Sequence, residues 1–207
     1  MDTVATENLN FEDFSFPNIG YALMDAPLIL VQEVRQELNL IKARQKSPKP
    51  WNHELAGQIR GELLMEFSAE ARAKLEEIGN RFMQGLNLPG EHVEHNMKSL
   101  GAWINLQVKH EYNPVHNHTG KLSWVIWLDI PYELEDEIAL YPNANCQDVS
   151  MFSFIYTSTI GDIATHRLPI DKTWEGRMCV FPARMAHAVA PFYTSDGVRI
   201  SVAGNLG

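Results

Sequence analysis

The sequence predicts an α+β protein with a mainly β core, a sandwich or jelly roll carrying amino-terminal helices packed on one sheet. Three observations predict it. Residues up to about 85 hold apolar side chains at helical spacing, and from Lys98 onward the spacing changes to strict alternation. The later strands are short and are separated by Pro, Gly and Asn turns. At 207 residues the expectation is a single domain over 1–207, in which 1–97 form a mainly helical support and 98–207 the core.

Residues 1 to 25 place Phe11, Phe14, Phe16 and Tyr21 among Asn, Pro and Gly, the composition of an irregular arm that docks through aromatics. From Ala26 to about Gln45, Leu30, Val31, Val34, Leu38 and Ile41 recur with charges between them, which predicts an amphipathic helix. Ser47-Pro48-Lys49-Pro50 ends it, because proline disfavours helix at its own position and before it. A second helix is expected over about His53 to Glu66. A third begins at Ser68 and runs through Leu75, Ile78 and Phe82 to Gly85.

After Lys98, Leu100, Ile104, Leu106 and Val108 alternate with Gly101, Trp103, Asn105, Gln107 and Lys109. That is a strand whose polar side can line a pocket. Further strands are predicted over 122–128, 149–157, 178–181 and 198–202, all dense in aromatic and β-branched residues. The long connection 131–148, with Glu133, Glu135, Asp136 and Glu137, reads equally as a functional lid or a solvated excursion.

Composition removes several function classes. Seventeen Lys and Arg against 26 Asp and Glu give a net charge of -9, so no nucleic-acid partner is expected. Cys146 and Cys179 lack C-x-x-C spacing and read as incidental thiols of a reducing compartment. No apolar leader opens the chain, and no run reaches the roughly 18 apolar residues of a membrane span. A cytoplasmic protein without a membrane partner is the expectation, with a homodimer among its assemblies.

The chemistry concentrates in His116-Asn117-His118, in Phe181-Pro182-Ala183-Arg184-Met185-Ala186-His187, and in Arg199-Ile200-Ser201. Residues two apart on a strand share a side, so His116 and His118 can offer both imidazoles to one ion. A single H-x-H is weak, since eight histidines produce one by chance roughly 0.3 times. Context strengthens it: Asn113-Pro114 turns before it, Gly120 follows, and the apolar run from Leu122 to Leu128 comes next. His187, just past an apolar strand, supplies a third corner. Three imidazoles suit divalent iron, copper, nickel or zinc better than magnesium or calcium. Arg199 and Ser201 also share a side, and a guanidinium fork beside a hydroxyl anchors a carboxylate.

These residues, in this order, resemble the iron(II) and 2-oxoglutarate-dependent dioxygenases. The run from Trp103-Ile104-Asn105 to Pro131, with N-P-V-H-N-H and S-W-V-I-W-L-D-I-P, is similar to the 2-oxoglutarate/iron oxygenases of many marine phages and bacteria. If phage-encoded, the chain would work in the host cytoplasm. The resemblance covers about residues 98 to 207. It implies a double-stranded β-helix with helices against the major sheet, Fe(II) as the metal, and 2-oxoglutarate and O2 as co-substrates. It further implies His116, His118 and His187 as ligands, Arg199 and Ser201 on the far carboxylate of 2-oxoglutarate, and Asn105, Gln107 and Trp127 as pocket-lining partners. The implied reaction is oxidative decarboxylation of 2-oxoglutarate to succinate, coupled to hydroxylation of a peptide side chain or a small metabolite.

One position departs from the family pattern, because His118 stands where Asp or Glu is usual. A carboxylate from elsewhere, Glu111 or Asp162, is the alternative third ligand. Two rival readings follow the same residues. A cupin-type metalloenzyme would use three histidines without 2-oxoglutarate, but its usual Glu four or five residues after H-x-H falls here on Leu122 or Ser123. A non-catalytic metal-binding jelly roll is the other. The remaining histidines, His53, His92, His95, His110 and His166, read as surface or local hydrogen-bonding groups.

Overall fold

The computed structural model describes residues 20–85 and 96–207. Along the chain run β1 (Ala22–Asp25), α1 (Leu28–Lys42), β2 (Gly61–Met65), α2 (Ala69–Gly85), β3 (Ser99–Gln107), β4 (Asn113–His116) and β5 (Leu122–Asp129). Then come α3 (Leu134–Ala139), β6 (Phe152–Thr157), β7 (Ile163–Leu168), β8 (Arg177–Pro182), β9 (Ala186–Val189) and β10 (Arg199–Leu206). The strands form a six-stranded sheet in the order β1-β8-β5-β10-β3-β2 and a four-stranded sheet in the order β4-β9-β6-β7. Two facing antiparallel sheets with crossovers make the double-stranded β-helix.

Alternation in the central strands gives each face of the large sheet a different task. Ile104, Ile126, Met178 and Val202 face the helices and pack with Leu30 and Val34 of α1 and Ala71 and Leu75 of α2. Each such Leu or Val contributes about 1.5–3 kcal/mol by leaving water. Val125, Trp127, Cys179 and Phe181 face the other way and pack with Phe152, Phe154 and Leu168 of the small sheet. The helices are therefore on one sheet, as expected.

Local chemistry sets the helix ends. Ser68 Oγ accepts from Ala71 N at 3.1 Å, an N-cap bond that starts α2, and Ser68 Oγ donates to Glu33 of α1. Arg35 of α1 grips Asp129 at the end of β5 with both terminal nitrogens, at 2.5 and 2.7 Å. No helix among the described residues is long and apolar enough to cross a membrane.

Three expectations are corrected. No helix covers 53–66: Asn52–Glu54 is one 3-10 turn, and Gly61–Met65 is an edge strand paired to β3. Leu63, Leu64 and Met65 favour either structure, and burial against α1 and α2 beside a ready partner strand decides for the sheet. Beside its two helices, this half lends β1 and β2 to the two edges of the large sheet. Residues 22–25 are strand rather than irregular arm. Tyr21 does dock, stacked on Phe154 at 5.1 Å, whereas Phe11, Phe14 and Phe16 lie outside the described residues.

The connection 131–148 is also not a merely solvated excursion. It holds α3, whose Glu137 is fully buried and accepts from Tyr193 N, Thr194 N and Thr194 Oγ1. A carboxylate taken for a solvated charge fastens this segment to the loop before β10.

Candidate metal centre

The three histidines meet at the open end between the sheets. His116 ends β4 and stands directly opposite His187 on β9, while His118 lies two residues beyond β4 with its N–H on Ala183 O at 2.8 Å. The apolar run 122–128 that follows is a separate strand, since β4 belongs to the four-stranded sheet and β5 to the six-stranded one. Ring centroids are 4.3 Å apart for His116 and His187, 4.9 Å for His116 and His118, and 5.0 Å for His118 and His187. One nitrogen from each lies within 4.8 Å of the others.

Hydrogen bonds select the tautomer. His116 Nδ1 is 2.7 Å from Pro114 O and His187 Nδ1 is 2.9 Å from Met185 O. A carbonyl only accepts, so each Nδ1 carries the hydrogen and each Nε2 presents its lone pair. Burial, then neighbouring imidazoles, lowers His118 to about 4 and His187 to about 3, and burial lowers His116. All three are neutral at neutral pH, the form that binds a metal. This all-nitrogen set, with His187 buried and His116 and His118 half-buried, fits Fe(II).

Neither alternative carboxylate joins them. Glu111 accepts from Val108 N at 3.1 Å and Arg60 N at 3.2 Å, and Asp162 sits exposed in the turn between β6 and β7. Among the described residues the cluster holds His116, His118 and His187 without a carboxylate.

Sheet register lines up the rest. Ser201 on β10 faces Asn105 on β3 and Trp127 on β5, and Arg199 faces Gln107. All five line the cavity that the histidines enter. Asn105 Nδ2 donates to Ser201 Oγ at 3.3 Å, and Trp127 packs edge-on to Trp174 at 5.2 Å.

Arg199 is 3% exposed, and among the described residues no carboxylate pairs with it. Neutral oxygens hold its donors: Gln107 Oε1 accepts from Nε at 3.0 Å and Nη2 at 2.7 Å. Tyr132 Oη and Ser150 O accept from Nη1, and Ala190 O from Nη2. Gln107 Oε1 thus occupies the place of one oxygen of a carboxylate on the guanidinium fork.

Two contributors escaped the sequence reading. Tyr132 lies in a stretch read as loop. Glu62 lies in the stretch read as helix, yet it is 1% exposed and lines the same cavity. Burial, with Glu111 nearby, raises its carboxyl to about 7 although Asn52 Nδ2 donates to it at 3.1 Å. Gly57 and Gly61, which weaken a helix, were the available signal.

Fold and site together define a non-haem metalloprotein of the double-stranded β-helix class. The profile of the family described as "Putative 2OG-Fe(II) oxygenase" matches residues 101–205, and the chain belongs to that family. It is a 2-oxoglutarate-dependent dioxygenase that uses Fe(II), with 2-oxoglutarate and O2 as co-substrates.

Solved structures agree on the fold. A Pseudomonas putida prolyl-4-hydroxylase is 16% identical, with 90% of this chain and 91% of that one covered at a TM-score of 0.51. A Trichoplax adhaerens prolyl hydroxylase, solved with a hypoxia inducible factor peptide, is 15% identical over 90% and 82%, at 0.50. The carbocyclase SnoK from nogalamycin biosynthesis is 13% identical over 89% and 78%, at 0.53. No curated protein matches the chain.

Proposed function

We propose that His116, His118 and His187 hold the iron through Nε2, and that Arg199 takes the far carboxylate of 2-oxoglutarate beside Ser201, so that the enzyme hydroxylates a small metabolite or a peptide side chain. The observation that carries this reading is a buried guanidinium without an anion in the cavity that three neutral imidazoles enter. A buried cation is costly unless an anion meets it, and a dicarboxylate reaching from metal to Arg199 meets it.

Bound iron supplies the oxidative decarboxylation and the hydroxylating oxidant. The chain's residues position and enclose. Pro114 O and Met185 O keep two imidazoles in the ligating tautomer. The carboxylate replaces Gln107 Oε1 on the Arg199 fork, with Tyr132 Oη still on Nη1. Trp127, Phe152, Phe181 and Val189 wall the cavity and limit water at the reacting centre. With His118 in place of a carboxylate the ligand set is neutral, so the metal keeps its full charge and attracts the anionic co-substrate more strongly. Residues 1–207 act as one domain in this reading.

Anaerobic addition of Fe(II) and 2-oxoglutarate tests it. A visible absorption band should appear in the wild type, vanish in His116→Ala and His187→Ala, and need far more 2-oxoglutarate in Arg199→Gln. Succinate should form on admitting air. A wild type with no band and no succinate would reject the proposal, and a band unaffected by Arg199→Gln would reject the clamp.

A further inference from the structure

We propose that Glu62, with Asn105 and Asn113, forms the primary-substrate subsite of this cavity and takes a substrate that presents a protonated amine. The inference rests on the oxygenase reading above, which leaves this end of the cavity for the primary substrate.

The argument begins with register. Glu62 on β2 is the direct cross-strand partner of Asn105 on β3, and Asn105 is the partner of Ser201 on β10. The three side chains make one row on the pocket face of the large sheet. Arg199 lies two strands and two residues from Glu62, about 12 Å by strand spacing, so the two charges do not neutralise each other. One end of the cavity therefore holds a buried cation without an anion, and the other a buried acid without a cation. Among the described residues no lysine, arginine or histidine forms an ion pair with Glu62.

The surroundings of Glu62 are rich in acceptors. Asn105 Oδ1 is buried and has no hydrogen-bond partner, and Asn105 as a whole is 6% exposed. Asn113 Oδ1 is buried and unpartnered as well. A Cβ built on Gly57 would collide with both Glu62 Oε1 and Asn113 Oδ1, so these oxygens converge on one point under the 55–57 loop. Leu55, Ala56, Gly57, Glu62, Asn105 and Asn113 all line the cavity of the three histidines.

Unmet buried acceptors are costly, and a ligand rich in N–H donors removes that cost. An ammonium offers three donors and a charge, which a carboxylate with two amide oxygens matches. Burial raises the carboxyl to about 7, and a cation beside it favours the ionised form. A neutral isostere would gain none of this, so the subsite discriminates by charge.

The test uses full-length protein loaded with Zn(II) and 2-oxoglutarate, so that binding is read without turnover. Melting shifts and calorimetry compare free amino acids, putrescine and spermidine with their N-acetylated forms. We expect at least one free amine to bind at least tenfold tighter than its acetylated form, and Glu62→Gln to remove that preference while keeping Zn(II) and 2-oxoglutarate affinity. With aerobic Fe(II), the preferred amine should raise succinate formation. Equal binding of free and acetylated forms, absence of any amine binding, or a preference unchanged in Glu62→Gln would overturn the subsite. Because the central comparison is made on wild type, a poorly folding variant does not rescue it. If the wild type fails to bind 2-oxoglutarate, the oxygenase reading itself fails; if it binds and the amine arms fail, only the subsite does.

Discussion

At the scale of single residues, a neutral amide oxygen sits on the buried Arg199 guanidinium. Gln107 Oε1 meets the Arg199 fork with two hydrogen bonds that a carboxylate would otherwise take. Gln107→Ala removes this competitor, so 2-oxoglutarate should bind several-fold tighter while the unliganded protein melts at a lower temperature. Titration of the Fe(II) absorption band measures the first effect, and weaker binding would mean that Gln107 orients the fork instead. Glu62 gives a second prediction, through pH. Its folded value of about 7 lies above its usual 4.5, so the folded state binds more protons between those values. Both forms are protonated below about 4.5, and the penalty for burying the charge grows as pH rises to about 7 and is complete above it. Glu62→Gln should therefore stabilise the unliganded protein at pH 8 by up to about 3 kcal/mol and do little at pH 4.5. Denaturant midpoints at both values check this, and equal effects would refute the shift.

Among elements, the small sheet and its attached loops hold His116 and His187 in place. β4 and β9 are only four residues each, and their alignment depends on β6 and on the loop before β10. Glu137 of α3 secures that loop through two backbone N–H groups and one hydroxyl. Glu137→Ala leaves these donors buried and unmet, which should cost about 3 kcal/mol and lower the melting temperature by roughly 5–10 °C. If the melting temperature holds, α3 has no structural role. Two elements show how far the sequence could be read at this scale. The alternation of Leu122 to Leu128 and of Trp103 to Gln107 marks β5 and β3 because each strand has two distinct faces. By contrast, β2 carries two leucines and a methionine with acidic residues around them, a composition shared by helix and strand. Only pairing with β3 resolves it, and with β2 went Glu62.

For the whole molecule, one cavity carries a buried guanidinium, Arg199, and a buried carboxyl, Glu62. Saturating Zn(II) with 2-oxoglutarate should raise the melting temperature in proportion to the logarithm of ligand concentration, by several degrees at a hundredfold excess over the dissociation constant. Arg199→Gln should abolish the 2-oxoglutarate part of that shift and spare the metal part. No shift with both ligands present would contradict the ligand set.

By itself the sequence determined the layered architecture and the face of each central strand, and it singled out His116, His118, His187, Arg199 and Ser201 as candidates. These follow from side-chain periodicity and from spacings of two, which are local properties of an extended chain. The tertiary structure decided that His116 pairs across strands with His187, that Gln107 and Tyr132 accept from Arg199, and that Glu62 lines the same cavity. Those relations join residues 43 positions apart (Glu62 and Asn105) to 92 apart (Gln107 and Arg199), through sheet register and burial, and neither is encoded in the spacing of any single segment.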